Sequence, residues 1–282
     1  FVPCAAGACS GAPALVRYPP ASMSTTETDH AWGDAPELYG PRHDYRESLV
    51  LRRLRRARPG RRVLNAGAGA GSLTFKLIDA GFQVTSVDAS APFCDWVRAG
   101  LVERGVAADN PVIRSELGSG TLDLQPASFD AVVCAEVLEH LDDDAAALGE
   151  LAAALRPGGF LLVTVPANPY RYDWTDRWAG HRRRYTAEQL RLRIERAGFG
   201  DVEVTGWGFP LTGFYHRHVY RPMLRRRMRI REGRGGAGLG GPPPRLASRA
   251  IRAMLEVDTL FLGRRPGYHG LIAVARRGDR PD

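Results

Sequence analysis

Two carboxylates and an imidazole lie close together in the segment 136–140, which reads Glu-Val-Leu-Glu-His. If this segment is helical, the spacing brings Glu136, Glu139 and His140 to one face. Carboxylate oxygens and imidazole nitrogens ligate divalent ions, and His181 in a later segment is a candidate fourth ligand. The pattern predicts a metal site at Glu136, Glu139, His140 and His181, or a direct base at His140. In either case His140 and His181 are the candidate catalytic residues.

Plainer interpretations of these segments stay open. His140 could be an ordinary residue at the start of a helix. His181 is followed by three arginines and a tyrosine, residues 182–185. Such a run of charge is commonly a solvated face, but contact with a phosphate or carboxylate of a substrate is the alternative.

The stretch 63–72, Val-Leu-Asn-Ala-Gly-Ala-Gly-Ala-Gly-Ser, ends an apolar run in three glycines at alternate positions. A strand, a glycine turn and a helix let backbone approach a nucleotide-sized ligand, because no Cβ atoms block it. Asp88 follows about twenty residues later, at the end of a second predicted strand. A carboxylate at this position can accept hydrogen bonds from the hydroxyl groups of a ribose. This arrangement fits NAD as well as S-adenosylmethionine.

The elements that position these residues alternate between short apolar strands and amphipathic helices, which is typical of a mostly parallel sheet with helices on both faces. The predicted strands are 61–66, 83–87, 111–114, 129–134, 159–165, 201–206 and 270–276. The predicted helices are 36–58, 72–80, 91–104, 143–155 and 186–197. The segment Thr186-Ala-Glu-Gln189 resembles a capping box.

Three details favour S-adenosylmethionine over NAD: the GxGxG glycine pattern, the Ser-Phe-Asp-Ala-Val-Val strand at 128–133 leading into 136–140, and Leu-Arg-Pro-Gly-Gly-Phe-Leu-Leu-Val-Thr-Val-Pro at 155–166. With these motifs the chain resembles the class I S-adenosylmethionine-dependent methyltransferases over about 40–206 and 270–276. The resemblance implies a Rossmann-like sheet of seven strands whose last strand is antiparallel. It also implies that 36–282 form one domain.

The resemblance also assigns roles to matching positions. Gly67, Gly69 and Gly71 would line the methionine and ribose portions, and Asp88 would bind the ribose. The adenine would be flanked by Ala89, Phe93 and Gly118-Ser119, and the methionine end would rest on Ala135 and Glu136. Two positions depart from the family pattern, because Asn65 and Ser119 stand where the family commonly has acids. Both can still form hydrogen bonds, so we expect a rearranged cofactor site that includes them.

The segment 136–140 and His181 resemble two methyltransferase groups. One comprises the ubiquinone-pathway O-methyltransferases, near the type 11 methyltransferases, and the other the small-RNA 3′-end ribose methyltransferases. This resemblance implies that Glu136, Glu139, His140 and His181 hold Mg²⁺ or a similar ion, which lowers the pKa of an acceptor hydroxyl. Metal-independent relatives also carry the Glu-Val-Leu-Glu-His pattern, so the site is a hypothesis.

The formal net charge of the chain is +8, and the segment 209–262 carries all of that excess. This basic insertion lies between the last two predicted strands and reads as two helical pieces, 211–231 and 245–262, around a Gly- and Pro-rich loop at 233–244. Its aromatic and basic residues could form a lid or a dimer contact, or lie on an anionic membrane. Binding to nucleic acid is the least favoured of these partners, because the rest of the chain is balanced in charge.

Composition sets the remaining expectations. The 282 residues include four cysteines without a metal-ligand spacing, which is typical of reduced thiols in a cytoplasmic protein. No apolar run is long enough to span a membrane. Residues 1–35 are expected to be a disordered extension, with 1–22 lacking the organisation of a signal sequence.

Together these observations predict a methyltransferase that acts on a hydroxyl of a small acceptor from natural-product, glycan or lipid-carrier chemistry. One alternative keeps the chemistry but has the 2′-hydroxyl of an RNA end as acceptor. The other is a non-enzymatic module that binds the cofactor and acts through its basic insertion.

Overall fold

A computed structural model describes residues 40–120, 122, 124–231, 245–263 and 267–278. Within them, seven strands form one sheet in the order β3-β2-β1-β4-β5-β7-β6. The strands are β1 (Arg62–Ala66), β2 (Gln83–Asp88), β3 (Val112–Arg114), β4 (Phe129–Ala135), β5 (Leu155–Pro166), β6 (Phe199–Trp207) and β7 (Gly270–Arg277). Strand β7 runs antiparallel to both neighbours, β5 and β6, while the pairs among β1 to β5 are parallel. The predicted fold class is confirmed.

The helices connect the strands as the sequence pattern predicts. They are α1 (Pro41–Ala57), α2 (Ser72–Asp79), α3 (Ala91–Glu103), α4 (Asp144–Ala154), α5 (Trp174–Trp178), α6 (Ala187–Arg196), α7 (Leu211–Tyr215), α8 (Arg221–Arg231) and α9 (Arg245–Glu256). Side-chain caps fix several starts: Asp143 Oδ1 accepts hydrogen bonds from two α4 amides, and Thr186 forms the predicted capping box with Gln189.

Alternate residues of the central strands face two separate apolar cores. On one face Leu64, Val132 and Leu161 pack with α4 and α6. On the other face Val63 and Leu162 pack with α1, α2 and residues of the insertion. Because both faces of β1, β4 and β5 are buried, these strands read as continuous apolar runs in the sequence.

The predicted insertion between the last two strands is helical. Helix α7 continues through a π-helical turn, His216–Tyr220, into α8, and α9 continues into a 3₁₀ turn, Val257–Phe261. Tyr215, Leu224 and Leu255 are buried, and Tyr215 and Leu255 pack in the same apolar core as α1. The insertion is therefore an integral layer over α1. The predicted loop 233–244 and the predicted N-terminal extension 1–35 lie outside the described residues.

Two boundaries differ from the sequence expectation. Helix α5 was not predicted, because its five residues are too few to show a helical period. Strand β5 begins at Leu155 instead of 159, since Leu155 pairs with Phe129 before a shift of register near Ala131. Among the helices that the structure describes, none combines the length and apolarity needed to cross a membrane. The cysteines of the described ranges, Cys94 and Cys134, are buried free thiols.

Candidate functional site

A cavity of about 340 Å³ opens where β1, β2 and β4 end, with α1 along one side. Its position follows from the parallel order of these strands, because their carboxyl ends meet at one edge of the sheet. Of the predicted cofactor residues, those lining the cavity are Asn65, Gly67, Gly69, Asp88, Ala89, Phe93, Ala135 and Glu136. The structure thus brings most of the predicted set together.

The glycine turn after β1 forms the floor of the cavity. Gly67 and Gly69 have φ angles of +76° and +53°, which favour glycine. A Cβ atom on Gly67 would lie 2.2 Å from Val137 Cγ2, so a side chain cannot be accommodated there. Gly71 is not among the described lining residues; it precedes α2 and packs against Phe75 and Val97.

Asp88 holds the glycine turn against the end of β2. Its Oδ2 accepts a hydrogen bond from the Gly69 amide at 2.7 Å, and its Oδ1 accepts one from the Ser90 amide at 2.9 Å. Burial raises the pKa of Asp88, and the two amides only partly oppose this shift. The carboxylate lines the cavity where the sequence placed a ribose.

The two departures from the family pattern have different outcomes. Asn65 is buried, lines the cavity and donates a hydrogen bond to Thr74 Oγ1 at 2.9 Å. Ser119 is exposed, donates to the Glu116 carbonyl and is not one of the described residues around the cavity. Glu150 draws the turn away by accepting the amides of Gly118 and Gly120. Residues 115–117 line the cavity at this point, and the adenine contact expected at Gly118-Ser119 stays a prediction.

Helix α1 supplies charged residues to the cavity that the sequence analysis did not assign: His43, Arg46 and Glu47. Glu47 is 2% exposed and accepts hydrogen bonds from His43, from Ser72 and from Lys76. Burial opposes the ionisation of Glu47, but His43 and Lys76 outweigh it and lower the pKa of Glu47. The signal was present in the sequence, because charged residues fall on the buried side of this amphipathic helix.

Glu136 does not share a helical face with Glu139 and His140, so that prediction is wrong. Glu136 has a φ of +58°, and the 3₁₀ turn that contains the other two begins only at Leu138. The Glu136 carboxylate lies 3.4 Å from Arg46 Nη1 and accepts a hydrogen bond from Thr164 Oγ1 at 3.0 Å. Burial raises the pKa of Glu136, but the charges of Arg46, His181 and Arg42 and the hydrogen bond from Thr164 together outweigh burial, and the net shift is downward.

Glu139, His140 and His181 form a cluster beside the cavity. Each offers one ligand atom, and these atoms lie within 4.8 Å of one another. The His140 and His181 ring centroids are 4.9 Å apart, and His140 also lines the cavity. Three of the four predicted metal ligands therefore meet in space, while Glu136 is held by Arg46 and Thr164.

Both histidines of the cluster are oriented through Nδ1. His181 Nδ1–H donates to Asp176 Oδ1 at 2.8 Å, and His140 Nδ1 lies 3.3 Å from the Gly180 carbonyl. These contacts place a proton on Nδ1, so that Nε2 is the nitrogen available to a ligand, as in metal-ligating histidines. Asp176 is a buried residue of α5 and was missed in the sequence, because α5 itself was too short to predict.

Glu139 is fully buried, and neither carboxylate oxygen has a hydrogen-bond partner among the described residues. Burial raises the pKa of Glu139 well above its ordinary value, and the nearby charge of Glu136 adds to the shift. A buried carboxyl without partners is stabilised by a proton or by a cation. The environment of Glu139 therefore favours the binding of either a proton or a cation at its carboxyl group.

The arginines after His181 brace the cluster. Arg182 pairs with exposed Asp142, and Arg183 lies 3.4 Å from Asp144. Arg184 Nε donates to Asp176 Oδ1 at 2.8 Å. All three are paired with carboxylates of the protein, so the structure favours a bracing role over contact with a substrate anion.

Comparison with known proteins decides the family. A family model described as a methyltransferase domain matches residues 41–204. A ubiquinone biosynthesis O-methyltransferase of Idiomarina loihiensis is 32% identical over 169 residues, which cover 55% of this chain and 68% of that protein. The chain belongs to the class I S-adenosylmethionine-dependent methyltransferases.

Further comparisons show how much of each chain the similarity covers. A ubiquinone biosynthesis O-methyltransferase of Xanthomonas campestris is 37% identical over 140 residues, or 48% of this methyltransferase and 55% of the relative. The structure of Haemonchus contortus phosphoethanolamine N-methyltransferase 2 in complex with S-adenosyl-L-methionine has a TM-score of 0.56 and 18% identity, covering 83% of this chain and 52% of that chain. That structure shows the shared fold alone.

S-adenosylmethionine is the cofactor of this methyltransferase. The residues present fit it: the glycine turn leaves room for a ligand against the backbone, and the Asp88 carboxylate closes the end of β2. Arg46 and Glu136 add one charge of each sign at the end of the cavity nearest to β4. The individual roles given to the cofactor-binding residues remain predictions.

Proposed function

We propose that this methyltransferase transfers a methyl group to a hydroxyl of a small acceptor at the Glu139–His140–His181 cluster, with the help of a divalent cation. The observation that carries the proposal is the position of this cluster. It adjoins the donor cavity through His140, and its buried carboxylate has no hydrogen-bond partner in the described part of the chain. The two relatives are O-methyltransferases of ubiquinone biosynthesis, which supports a hydroxyl acceptor.

The ligand atoms of Glu139, His140 and His181 support a cation and indicate which metals would suit the site. Two imidazole nitrogens and one carboxylate oxygen suit Mn²⁺, Fe²⁺ or Zn²⁺ better than Mg²⁺, which prefers oxygen ligands. The sequence expectation of Mg²⁺ rested partly on Glu136, which lies outside the cluster. When bound, a divalent cation supplies the positive charge that lowers the pKa of an acceptor hydroxyl.

The residues of the chain prepare the reaction in two ways. Asp176 and the Gly180 carbonyl fix the rings of His181 and His140. Arg46 keeps Glu136 ionised at the wall of the cavity. The sulfonium methyl of the donor is already electrophilic, so alignment of the hydroxyl and removal of its proton are what the protein must add.

We also propose that the insertion contacts an anionic membrane surface. Such a contact suits an acceptor that is linked to a lipid. Phe214 is 60% exposed and Val219 is 44% exposed, and the exposed Arg217 and His218 lie between them. Apolar and basic side chains together are typical of interfacial helices. We call these four residues the insertion face.

Turnover on a panel of phenols, catechols and sugars, with labelled S-adenosylmethionine, tests the function. We expect methylated product from a hydroxylated acceptor, and no product after substitution of both Glu139 and His140 by Ala, with S-adenosylhomocysteine still bound. Full activity of that double variant would sink the proposed site. Binding of the cofactor without product from any acceptor would favour the non-enzymatic module.

Thermal shift of the protein saturated with S-adenosylhomocysteine tests the cation separately. Mn²⁺ or Zn²⁺ should stabilise the wild type by about 2.7 kcal/mol at one hundred times its dissociation constant. The His181→Ala variant should lose this effect, and the matched variant of an exposed histidine, His218→Ala, should keep it. Activity that survives chelation but not His181→Ala would overturn the cation and leave His181 as a base.

Vesicle co-sedimentation tests the membrane contact. Binding should require phosphatidylglycerol in phosphatidylcholine vesicles and should fall in the Phe214→Ser, Val219→Ser double variant. The control is Leu192→Ser, which changes another apolar residue that is 42% exposed on α6. Equal binding of all three proteins, or of none, contradicts the membrane contact.

A further inference from the structure

A half-buried arginine and two half-buried histidines meet on the wall formed by α1, the insertion and the start of β7. Arg42 Nη1 donates hydrogen bonds to His216 Nδ1 at 3.0 Å and to His269 Nε2 at 2.7 Å. Its guanidinium carbon lies 4.6 Å from the centroid of the Tyr220 ring. These three partners come from the π-helical turn and the residue before β7, so tertiary structure alone creates this group.

The π-helical turn gives the group its shape. It stacks the rings of His216 and Tyr220 at 5.3 Å, and His216 lies 4.7 Å from the His269 ring. Such turns cost stability and are found frequently at functional sites. Here the turn directs two rings at a single guanidinium.

Among the described residues, Arg42 forms no ion pair with a carboxylate. Three carboxylates lie nearby, and each is paired with a different arginine: Glu136 with Arg46, Asp173 with Arg221 and Asp176 with Arg184. No ion pair of Arg42 occurs among the described residues. The partly buried guanidinium of Arg42 therefore contacts two neutral rings and forms no ion pair within the described ranges.

The edge of the Arg42 guanidinium that makes no hydrogen bond to the described residues has the geometry to bind an anion. A guanidinium has five N–H donors, and the two on Nη1 serve the histidines. The remaining edge, with Nε and Nη2, is the fork that binds carboxylate or phosphate with two parallel hydrogen bonds. Burial and the charge of Arg42 lower the pKa of His216 to about 2 and that of His269 as well, so both rings stay neutral acceptors.

The group lies within reach of the reaction centre. Arg42 lies about one helical turn, roughly 6 Å of rise, before Arg46, which lines the donor cavity. The charge of Arg42 contributes to the low pKa of Glu136, and Asp176, which orients His181, is near enough to affect His216. An acceptor with its hydroxyl at the cluster could therefore place a second group at Arg42.

We propose that Arg42, held between His216 and His269, binds an anionic group of the methyl acceptor, a carboxylate or a phosphate carried by the molecule whose hydroxyl is methylated. This inference rests on the proposed function and narrows its substrate class to anionic acceptors. The alternative role of Arg42 is a purely structural bridge between α1 and the insertion. In that role its Nε and Nη2 groups have no hydrogen-bond acceptor among the described residues.

The test uses the full chain with ¹⁵N-labelled histidine, saturated with S-adenosylhomocysteine, and two probes, inorganic phosphate and benzoate. We expect a saturable shift of the His216 and His269 ring signals with at least one probe. The Arg42→Gln variant should weaken that binding about tenfold or more, the loss of one charge-assisted hydrogen-bonded pair. Arg56→Gln, an exposed arginine of the same helix, should bind as the wild type does.

The outcomes separate this inference from the proposed function. A shift with phosphate alone identifies a phosphorylated acceptor, and one with benzoate alone a carboxylated acceptor. If neither probe moves the two ring signals in the wild type, or if Arg42→Gln binds equally well while retaining S-adenosylhomocysteine, the subsite is refuted. The wild-type result stands even if Arg42→Gln does not fold. Anion binding without methylation of any acceptor would refute the proposed function and leave the subsite.

Discussion

His181 Nε2 lies 3.9 Å from Glu139 Oε1, and these two groups face each other at the edge of the donor cavity. His181 is fixed from behind by Asp176, whereas Glu139 has no hydrogen-bond partner among the described residues. The distance is too long for a hydrogen bond and leaves the carboxyl dependent on something else for its charge. A buried carboxyl in this position is stabilised by a proton or by a cation.

We expect Glu139→Gln to remove a pH-dependent loss of stability from the cation-free protein. Burial and Glu136 raise the pKa of Glu139 in the folded state, so its contribution to stability is fully present below the ordinary pKa of glutamate. It is lost as the pH rises from that value through the raised one, by at most about 1.4 kcal/mol per pH unit. The glutamine variant cannot ionise, so its free energy of unfolding, measured in urea with a chelator, should lack this decline.

Glu195→Gln is the matched control, because it makes the same change at an exposed position on α6. It should show the same decline with pH as the wild type. Addition of Mn²⁺ to the wild type should release a proton and reduce this decline, since a carboxylate must lose its proton to bind metal. Identical pH profiles for wild type and Glu139→Gln would contradict the raised pKa.

Asp176→Asn should impair catalysis through the orientation of His181. Asp176 accepts hydrogen bonds from His181 Nδ1 and from Arg184 Nε, both at 2.8 Å. Loss of such an orienting partner typically reduces activity about 10- to 100-fold. Loss of the partner of buried Arg184 should also lower the free energy of unfolding by about 3 kcal/mol. S-adenosylhomocysteine should bind to the variant with unchanged affinity, as measured by calorimetry.

The pH dependence of the same group provides a second readout. Burial raises the pKa of Asp176, but the hydrogen bonds from His181 and Arg184 outweigh it and lower the pKa to about 2. Its contribution to stability is therefore present above the ordinary pKa of aspartate, near 4, and is lost as the pH falls towards 2. Asp142→Asn, at an exposed residue that pairs with Arg182, should change neither activity nor this acid limb.

Local patterns account for what the sequence predicts correctly. The glycine turn and the position of Asp88 depend on strand ends that the apolar runs of β1 and β2 reveal. The meeting of Glu139 and His140 with His181 follows because β4 and β5 are parallel neighbours. These relations need no knowledge of side-chain packing.

The errors concern backbone conformation and long-range contacts. The left-handed conformation of Glu136 turns it away from the helical face predicted for it, and its partner Arg46 is ninety residues earlier in the chain. Ser119 is not among the described residues that line the cavity. Glu150 on α4 holds this turn by accepting hydrogen bonds from the Gly118 and Gly120 amides. The group around Arg42 joins α1 to an insertion that follows most of the sheet, so no local pattern could indicate it.

Gly67→Ala should be among the most destabilising single substitutions in the cofactor site. A left-handed φ costs a residue with a Cβ atom about 1–2 kcal/mol, and the contact with Val137 adds about 1–3 kcal/mol. Gly81→Ala separates the two terms, since Gly81 has a φ of +90° but open space around its Cβ position. Unfolding in urea should show the larger loss for Gly67→Ala, and equal losses would contradict the steric argument.

Asp88→Asn should weaken S-adenosylhomocysteine binding about 10- to 100-fold, the range for one hydrogen bond to a charged group. The variant keeps the shape of the side chain but replaces one acceptor oxygen with a donor, which cannot serve both the Gly69 and the Ser90 amides and the ribose. Asp95→Asn, at an exposed residue of α3 that pairs with Arg98, controls for the lost charge. Calorimetry should find normal affinity for that control. An unchanged affinity in Asp88→Asn would show that the ribose is held elsewhere.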